Sequence, residues 1–373
     1  MTASERSLVE ETVSDFVERE VRPAAAEADA AQTFPEDVWD GLAELDLTGL
    51  TVPEAYGGFD ADQLTYSVVN ELLARGDLSV ATALSVHCLA TSCIARFGTD
   101  QHRERWLPEM ASGRPIGAFA LSEPDAGSNP AEMSTVARPE GDEYVIDGDK
   151  QWITNGKRSG VVVLFAKTDP DDPDSVTQFL VPKDVDGLEV GDKEDKLGLR
   201  ASDTTSLRFD GARIPASNRL TEVGEGLKSA FSILTGGRIA IASQAVGVAD
   251  AALSAAVEYA DEREQFGKPI ADHQAIAHKL ADMATDVQAA RLLTRDAAER
   301  NEEGVDAMAA SMAKYFASET AVDVASEAVQ VHGGYGYTKD FDVERYYRDA
   351  KITTIYEGTS EIQKEVIARH LGE

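Results

Sequence analysis

QWITNGKRSGVVVLFAK, residues 151–167, holds two β-rich runs, Gln151–Thr154 and Val161–Lys167, on either side of Asn155-Gly156. An Asn-Gly pair between such runs is typical of a tight turn joining antiparallel strands. The same pattern extends in both directions, with β-rich runs at Ile116–Leu121, Glu143–Ile146, Thr177–Val181 and Thr205–Phe209 and turn dipeptides at Asp147-Gly148, Asp186-Gly187 and Asp210-Gly211. Long helical patterns do not alternate with these runs. The region is therefore predicted to be an antiparallel sandwich or barrel rather than a parallel doubly wound sheet.

Both flanks of this region have helical periodicity. On the N-terminal side apolar residues recur at helical spacing at Leu8, Val9, Val13, Phe16, Val17 and Val21, and further helices are predicted at Leu64–Ala74 and Leu78–Phe97. On the C-terminal side there are two apolar stripes, Ile276, Leu280, Met283, Val287 and Ala290, and then Ala309, Met312, Phe316, Thr320 and Val324. We therefore predict an α+β multidomain protein. It has a helical N-terminal domain (1–114), an antiparallel β middle domain (115–220) and a C-terminal four-helix bundle (221–373).

The charge of the chain is strongly acidic, with 67 acidic against 35 basic residues and a formal net charge of −32. Such a surface repels phosphate, so we expect no nucleic-acid partner. The acids are spread along the whole chain without a long block, which disfavours an acidic interaction tail. The pattern favours a halophilic protein, because a high-salt cytoplasm screens the self-repulsion.

Targeting, membrane and metal signals are weak throughout. The first twenty residues are acidic and polar, which excludes a secretory signal. The longest apolar stretch, Ile239–Ala260, is interrupted by polar residues and is predicted to be a buried helix, not a membrane span. Cys88 and Cys93 are too few for a disulfide framework and lack a recognised metal-ligand spacing. We expect a cytoplasmic protein without a metal site.

Several segments suit a ligand, and each also has an ordinary structural interpretation. His332–Gly336 is glycine-rich but follows an Ala-rich helix rather than a strand, so it is not a Rossmann site and fits a helix cap and turn. Leu121–Asn129 offers hydroxyls and amides to a phosphate or ring edge, or simply forms a turn. Trp152 and Thr154 are expected on one strand face, suited to a flat cofactor or to burial. Arg263 fits a phosphate ligand or a solvated ion pair.

The segment Ile355–Gln363, IYEGTSEIQ, is the most informative. Ser360 and Gln363 fit a capping box, which predicts a helix beginning near Ser360. Glu357 lies just before that helix in a Gly-containing loop. Its carboxylate could point into a cleft or could be a solvated loop acid.

Together these segments resemble the acyl-CoA dehydrogenase family, from about Leu8 to Leu371. Six motifs occur in the family's order: FALSEPDAGS (119–128), WITNG (152–156), KLGLRAS (196–202), EREQFGKPI (262–270), QVHGGYGY (330–337) and IYEGTSEIQ (355–363). The last motif is most similar to the short-chain or butyryl-CoA branch. Asn129 departs from the pattern, since many members carry Asp there.

The resemblance implies a homotetramer in which FAD lies between the β domain and the C-terminal helices. It assigns flavin contacts to Phe119, Leu121, Ser122, Trp152 and Thr154. It assigns the FAD of a neighbouring subunit to Arg263, Gln265 and Phe266, adenine-side contacts to Gln330, Gly333 and Gly334, and a last FAD segment to Thr359, Ser360 and Glu361. On the substrate side it points to Ser128, Gly237, Arg238 and Gly358.

The resemblance also implies the reaction. Glu357 matches the base that removes the α-proton of an acyl-CoA thioester, while the β-hydrogen passes as hydride to flavin N5 and leaves a trans-2-enoyl-CoA. Some branches place the base on the helix that here contains Gly237-Arg238, and glycine cannot act as a base. The implied electron acceptor is an electron-transferring flavoprotein. Two alternatives stay open: an oxygen-reactive acyl-CoA oxidase-like or nitroalkane oxidase-like flavoenzyme, and a non-catalytic flavin or acyl-CoA binding module.

Overall fold

A computed structural model describes residues 2–371 of the chain. Over these residues the helices are α1 Ala3–Phe16, α2 Arg22–Ala31, α3 Glu36–Glu44, α4 Gln63–Gly76, α5 Leu78–Phe97, α6 Asp100–Ala111, α7 Gly226–Glu262, α8 Gln274–Glu303, α9 Ala307–His332, α10 Val343–Thr353 and α11 Ser360–His370. The strands are β1 Ile116–Ala120, β2 Val136–Glu140, β3 Glu143–Ile153, β4 Ser159–Lys167, β5 Val176–Pro182, β6 Leu188–Lys193, β7 Thr205–Pro215, β8 Glu264–Gln265 and β9 Lys268–Pro269. The predicted order of helices, sheet and helices is confirmed.

Helices α4 and α5 begin at residues whose side chains cap them. Asp62 accepts from Thr65 N at the start of α4, and Asp77 accepts from Ser79 N at the start of α5. Helix α5 is tied to the sheet through buried His87, whose Nδ1 accepts from Gly117 N at 3.0 Å. Burial lowers the pKa of His87 to about 4, so the ring is neutral at physiological pH. It serves as a hydrogen-bonded link between α5 and β1.

The middle domain is a seven-stranded sheet in the order β1-β4-β2-β3-β7-β6, with β5 on the other side of β4. Most neighbours pair antiparallel, as predicted, but β1 pairs parallel with β4, and β2 makes one parallel pair with β4. The wholly antiparallel prediction is therefore wrong for these two pairs. The cause is topological, because the hairpin of β2 and β3 intervenes in the chain before β4, one edge of which then pairs with β1 and, at Lys167, with β2, while β5 pairs with its other edge.

Two of the predicted turns are instead irregularities inside long strands. Asp147-Gly148 lies within β3 and Asp210-Gly211 lies opposite it within β7, where the pairing register shifts between Ile146 and Asp147. Gly211 has a φ of +67°, which glycine adopts without strain. The bulge absorbs the turn-forming residues, so the strand continues through them. The sequence prediction also lacked β2 and β6, because both carry many polar and exposed residues.

The C-terminal helices pack around α9, which contacts α7, α8, α10 and α11. Their shared core is rich in alanine, and α7 also packs on α4 through a buried contact of 2.7 Å between the hydroxyls of Ser67 and Ser243. Helices α5 and α7 are apolar and long enough to cross a membrane, but 83% and 78% of their most apolar windows are buried inside the fold. Core helices of soluble proteins are often as long and as apolar, so these two helices are weak evidence for a membrane-spanning segment.

Candidate active site

Glu357 lies in the loop between α10 and α11, as predicted, in a conformation that needs support. Its φ is +54° and that of Gly358 is +90°, so two consecutive residues are left-handed. A non-glycine residue rarely adopts this region without compensating contacts. The compensation comes from Gln363 Nε2, which donates to Glu357 O at 3.0 Å and to Gly358 O at 2.8 Å. Buried Lys314 Nζ also donates to Gly358 O, at 2.7 Å.

The helix after this loop begins at Ser360, as predicted, but its cap differs from the prediction. Thr359 is the N-cap, and its hydroxyl accepts from Ile362 N. Ser360 Oγ donates to Glu319 on α9, and Gln363 turns back to the loop carbonyls. The predicted capping box of Ser360 and Gln363 is therefore wrong, because Ser360 bonds Glu319 on α9 and Gln363 bonds the carbonyls of the preceding loop. Glu361 is exposed in the first turn of α11.

The carboxylate of Glu357 points at Gly237 on α7. A β-carbon built on Gly237 would lie 2.9 Å from Glu357 Oε2 and 3.4 Å from Leu89 Cδ2. The structure thus brings together two residues that are 120 positions apart in sequence. Glycine at position 237 leaves the space that the carboxylate occupies, so Glu357 faces a cleft rather than solvent, and the solvated-loop interpretation is wrong.

The electrostatic setting of Glu357 suits a base at neutral pH. Burial raises the pKa of Glu357 to about 7, against the opposing attraction of Arg238 and Lys314. Among the described residues Glu357 Oε2 is buried and has no hydrogen-bond partner. An unpaired buried carboxylate oxygen is costly, and such groups concentrate at functional sites.

The predicted flavin contacts of the β domain gather where β1 and β3 end. Gln151 N donates to Ser122 O at 3.0 Å, which joins the loop after β1 to the end of β3. Beside this contact, Phe119 and Ser122 are half-buried and Leu121 is buried. Trp152 is left-handed with a φ of +63°, and its side chain is 60% exposed. Strand β3 ends at Ile153, so the prediction that Trp152 and Thr154 alternate on one regular strand is wrong.

A buried ion pair, which the sequence analysis missed, supports this loop. Lys150 Nζ donates to Glu123 Oε1 at 2.8 Å and to Leu121 O at 3.1 Å. Glu123 also accepts from Ser134 N at 2.6 Å and from Thr135 N at 3.0 Å. Burial lowers the pKa of Lys150 to about 8 against the attraction of Glu123. The alternation of Lys150 with its strand neighbours is the signal that could have placed it on the buried face.

A second group of predicted cofactor residues lines a separate pocket of about 500 Å³. Arg263, Gln265, Gly333 and Gly334 are in its wall, together with Tyr259 and His332, whose rings stack at 4.2 Å. Glu357 and the β-domain residues are not in its wall, so one chain does not bring all the predicted cofactor residues to a single cavity. Gln330 on α9 and Ser128 in the loop after β1 are exposed and lie outside this wall.

Phe266 has an unusual position beside this pocket. It is at the tip of the β8–β9 hairpin with a φ of +55°, followed by Gly267 at +83°. The side chain is 95% exposed. Helix α7 ends at Glu262, and the hairpin that follows has the two-residue tip Phe266-Gly267, which presents an aromatic ring to the outside.

Metal-ligating side chains do not cluster in residues 2–371, where no group of three or more His, Cys, Asp or Glu is placed to hold an ion. Cys88 and Cys93 are buried in the helical cores, and burial raises the pKa of both thiols to about 12. Both cysteines therefore behave as small apolar residues.

Three comparisons with known proteins point to one family. Models of the acyl-CoA dehydrogenase N-terminal, middle and C-terminal domains match residues 3–114, 118–212 and 224–372. The mitochondrial short-chain specific acyl-CoA dehydrogenase of Rattus norvegicus is 45% identical over 98% of this chain and 89% of its own length.

Two solved structures have a TM-score of 0.97 over 100% of this chain. One is butyryl-CoA dehydrogenase from Megasphaera elsdenii, 39% identical with 99% of its chain covered. The other is a chain in a structure described as the electron transferring flavoprotein of Acidaminococcus fermentans, 40% identical with 98% covered. Similarity at this level extends over whole chains and includes the loop of Glu357. The chain is a member of the acyl-CoA dehydrogenase family.

Proposed function

We propose that this chain binds FAD and converts a short acyl-CoA to its trans-2-enoyl-CoA, with Glu357 removing the α-proton. The observation that carries the proposal is the buried, unpaired Oε2 of Glu357 opposite Gly237. A C–H group is a poor hydrogen-bond donor. A base that removes its proton must therefore contact it directly. Gly237 leaves room for the carboxylate, and its Oε2, which has no protein partner, is the atom we propose takes the substrate proton.

The residues present fit a flavin cofactor. The 60% exposed Trp152 side chain and the half-buried Ser122 of the neighbouring loop offer aromatic and polar contacts to a flat ring. Bound FAD supplies the acceptor for the hydride that leaves the β-carbon. The protein holds the substrate, keeps water out and moves the proton.

Proton removal depends on three charged side chains. With a pKa near 7, Glu357 is substantially ionised at neutral pH and is still basic enough to attack a weakly acidic C–H bond. Arg238 and Lys314 favour the ionised form, since both cations attract the carboxylate. Negative charge that develops on the thioester oxygen needs a donor, and the Glu357 amide is the donor we propose.

The finer features of the function follow from the family and the charge of the chain. The relatives above include a short-chain specific acyl-CoA dehydrogenase and a butyryl-CoA dehydrogenase, which supports a short acyl group here. The similarity to a chain found with an electron transferring flavoprotein supports that class of redox partner. The exposed Phe266 supports a homotetramer in which the hairpin reaches a neighbouring subunit. Because the net charge is −32, we also propose that the protein works in a cytoplasm of high salt.

The test is anaerobic bleaching of the flavin by a panel of acyl-CoAs, followed by stopped-flow on Glu357→Gln. Gln keeps the size and the backbone amide and removes only proton acceptance, so we expect a loss of at least about 10⁴ in the bleaching rate. Glu365→Gln, an exposed carboxylate on α11, is the matched control and should bleach at the wild-type rate. Bleaching by Glu357→Gln within tenfold of wild type would rule out this base.

Three further measurements separate the alternatives. Rapid reoxidation of the product-bound enzyme by air would favour an oxidase. Absence of bleaching with every acyl-CoA would favour a binding module. Efficient turnover with NAD as the sole acceptor would contradict the flavoprotein partner.

A further inference from the structure

Lys314 is a buried cation that the reaction scheme above uses only for its charge. It lies in the N-terminal third of α9, and its side chain is 0% exposed. Burial of a lysine is rare unless the ammonium has partners, because desolvation of the charge is costly. The ammonium donates to Gly358 O at 2.7 Å, one residue beyond the base.

The same carbonyl accepts from a neutral donor as well. Gln363 Nε2 donates to Gly358 O at 2.8 Å and to Glu357 O at 3.0 Å. An amide at this position already satisfies the hydrogen-bonding need of the loop. A second, charged donor on the same oxygen adds mainly electrostatic potential at the neighbouring Glu357 carboxylate.

Resting on the proposed function, we propose that Lys314 is a positioning residue that fixes the left-handed Glu357–Gly358 turn and keeps the Glu357 carboxylate ionised inside a dry site. Its ammonium acts through the carbonyl of Gly358 and through its charge, and it need not touch the substrate.

The charges around the two groups come from four elements. Lys314 faces Glu357 from the loop, Glu319 from its own helix, Arg238 from α7 and Glu361 from α11. Glu357 faces Arg238 and Lys314, and it interacts at longer range with the Tyr66 and Tyr356 hydroxyls. Burial lowers the pKa of Lys314 to about 8, against the attraction of Glu357. The two cations thus oppose the burial that raises the pKa of the base.

The sign of the effect is fixed by this arrangement. Loss of the Lys314 charge removes one of the two attractions that favour the carboxylate, so the pKa of Glu357 rises. The acid limb of the bleaching-rate profile then moves to higher pH, by about one unit for the loss of one close opposite charge. A purely structural lysine would lower the rate, or the amount of bound flavin, at every pH without moving the limb.

The experiment measures the flavin bleaching rate with butyryl-CoA from pH 5.5 to 9 in the tetrameric holoenzyme. Lys314→Met should move the acid limb to higher pH. Lys314→Arg should leave the limb at its wild-type pH, because Arg keeps the charge. Lys314→Gln, which fills similar space without a charge, is the second test if Met does not fold. Gln363→Leu removes the neutral donor and should lower the rate at all pH values with the limb unmoved.

Two controls make the result specific. Lys364→Met removes an exposed lysine of α11 and should leave the profile at its wild-type position. A readout without turnover is a pH titration of the absorbance of the complex with 3-thiabutanoyl-CoA, whose sulfur blocks hydride loss. Its apparent pKa should rise in Lys314→Met and Lys314→Gln.

The outcomes separate the two proposals. A wild-type enzyme that no acyl-CoA bleaches would overturn the proposed function itself. A wild-type enzyme that bleaches, with unmoved acid limbs in both Lys314→Met and Lys314→Gln, would overturn the role of Lys314 and leave the function intact.

Discussion

Gly237 and Glu357 share one space: a β-carbon on Gly237 would lie 2.9 Å from Glu357 Oε2, closer than such atoms approach in proteins. A side chain at position 237 would therefore force the Glu357 carboxylate to move from this position. Gly236, its neighbour on α7, has no such restriction, since a β-carbon there would meet only Gln63 Oε1, at 3.4 Å.

The first prediction uses this pair of glycines. Gly237→Ala should displace the carboxylate and lower the bleaching rate by at least about 10²-fold, since small misplacements of reacting groups are costly. Gly236→Ala should keep the wild-type rate and raise stability by up to about 1 kcal/mol through helix propensity. Stopped-flow bleaching and thermal midpoints measure both. Equal rates in the two variants would mean that the 237 position does not constrain the base.

The second prediction concerns stability and the charge of Glu357. Its pKa is about 7 in the folded chain, above the ordinary value of 4.5, so the folded state holds the proton more tightly than the unfolded state. Between these two values the folded chain binds more protons, so this group's contribution to stability falls as pH rises. Each unit of difference in pKa corresponds to about 1.4 kcal/mol.

Glu357→Gln removes this penalty. Its thermal midpoint should exceed that of the wild type at pH 8, and the difference should shrink towards pH 5. Glu365→Gln, with an exposed side chain, should show no such trend. A difference that is constant with pH would contradict the raised pKa.

The third prediction concerns the buried pair of Lys150 and Glu123, 2.8 Å apart. Lys150→Met leaves a buried carboxylate without its counter-charge, which should cost about 3–5 kcal/mol of stability and release flavin from the Leu121–Ser122 loop. The double variant Lys150→Met with Glu123→Gln should recover part of the loss. Arg300→Met, which breaks an exposed pair with Asp296, should cost less than about 1 kcal/mol. Thermal midpoints and flavin absorbance measure these effects. Equal losses of stability in Lys150→Met and Arg300→Met would refute the prediction.

The sequence predicted several of the helices and the loop position of Glu357, because helical periodicity and turn residues are local signals, while the role of Glu357 as the base stays a prediction. The supporting residues of the site were not predicted, since their partners are remote: Lys314 and Gly358 are 44 positions apart. A signal did exist, because Lys314 falls on the stripe of buried Ala310, Ala317 and Ala321 at helical spacing. A lysine on such a stripe should be treated as buried, not solvated.

The β domain was harder for a different reason. Asp-Gly pairs form hairpin turns and also β-bulges, and the choice depends on the facing strand. At Asp147-Gly148 the facing pair Asp210-Gly211 accommodates the irregularity, so both strands continue. The parallel pairing of β1 with β4 also depends on chain topology that no single segment encodes.

The fourth prediction concerns Phe266. The ring is 95% exposed, so its removal should cost the chain itself very little stability. If the hairpin reaches a neighbouring subunit, Phe266→Ser should weaken the tetramer and lower the flavin content together. Leu8→Ser, on an exposed face of α1, is the control and should leave both unchanged. Light scattering and the ratio of flavin to protein absorbance give the answer, and a fully flavinated tetramer in Phe266→Ser would contradict the cross-subunit role.

The fifth prediction is that stability depends on salt. The net charge is −32, and local crowding is severe in the loop before β5, where Asp169, Asp171, Asp172 and Asp174 are all exposed. Ions screen repulsion over distances longer than the Debye length, about 10 Å at 0.1 M and 3 Å at 1 M. The thermal midpoint should therefore rise with potassium chloride, most steeply below about 1 M.

A charge variant distinguishes screening from a general effect of salt on hydration. Asp171→Lys reduces the repulsion in this loop, so it should raise the midpoint at low salt and change it little in molar potassium chloride. Screening weakens the surface ion pairs at the same time, but such pairs contribute little individually, so repulsion is the larger effect. A wild-type midpoint that is unchanged or lower in molar salt would show that the acidic surface does not limit stability. An Asp171→Lys gain of equal size at both salt concentrations would show that the loop acts through contacts rather than through repulsion.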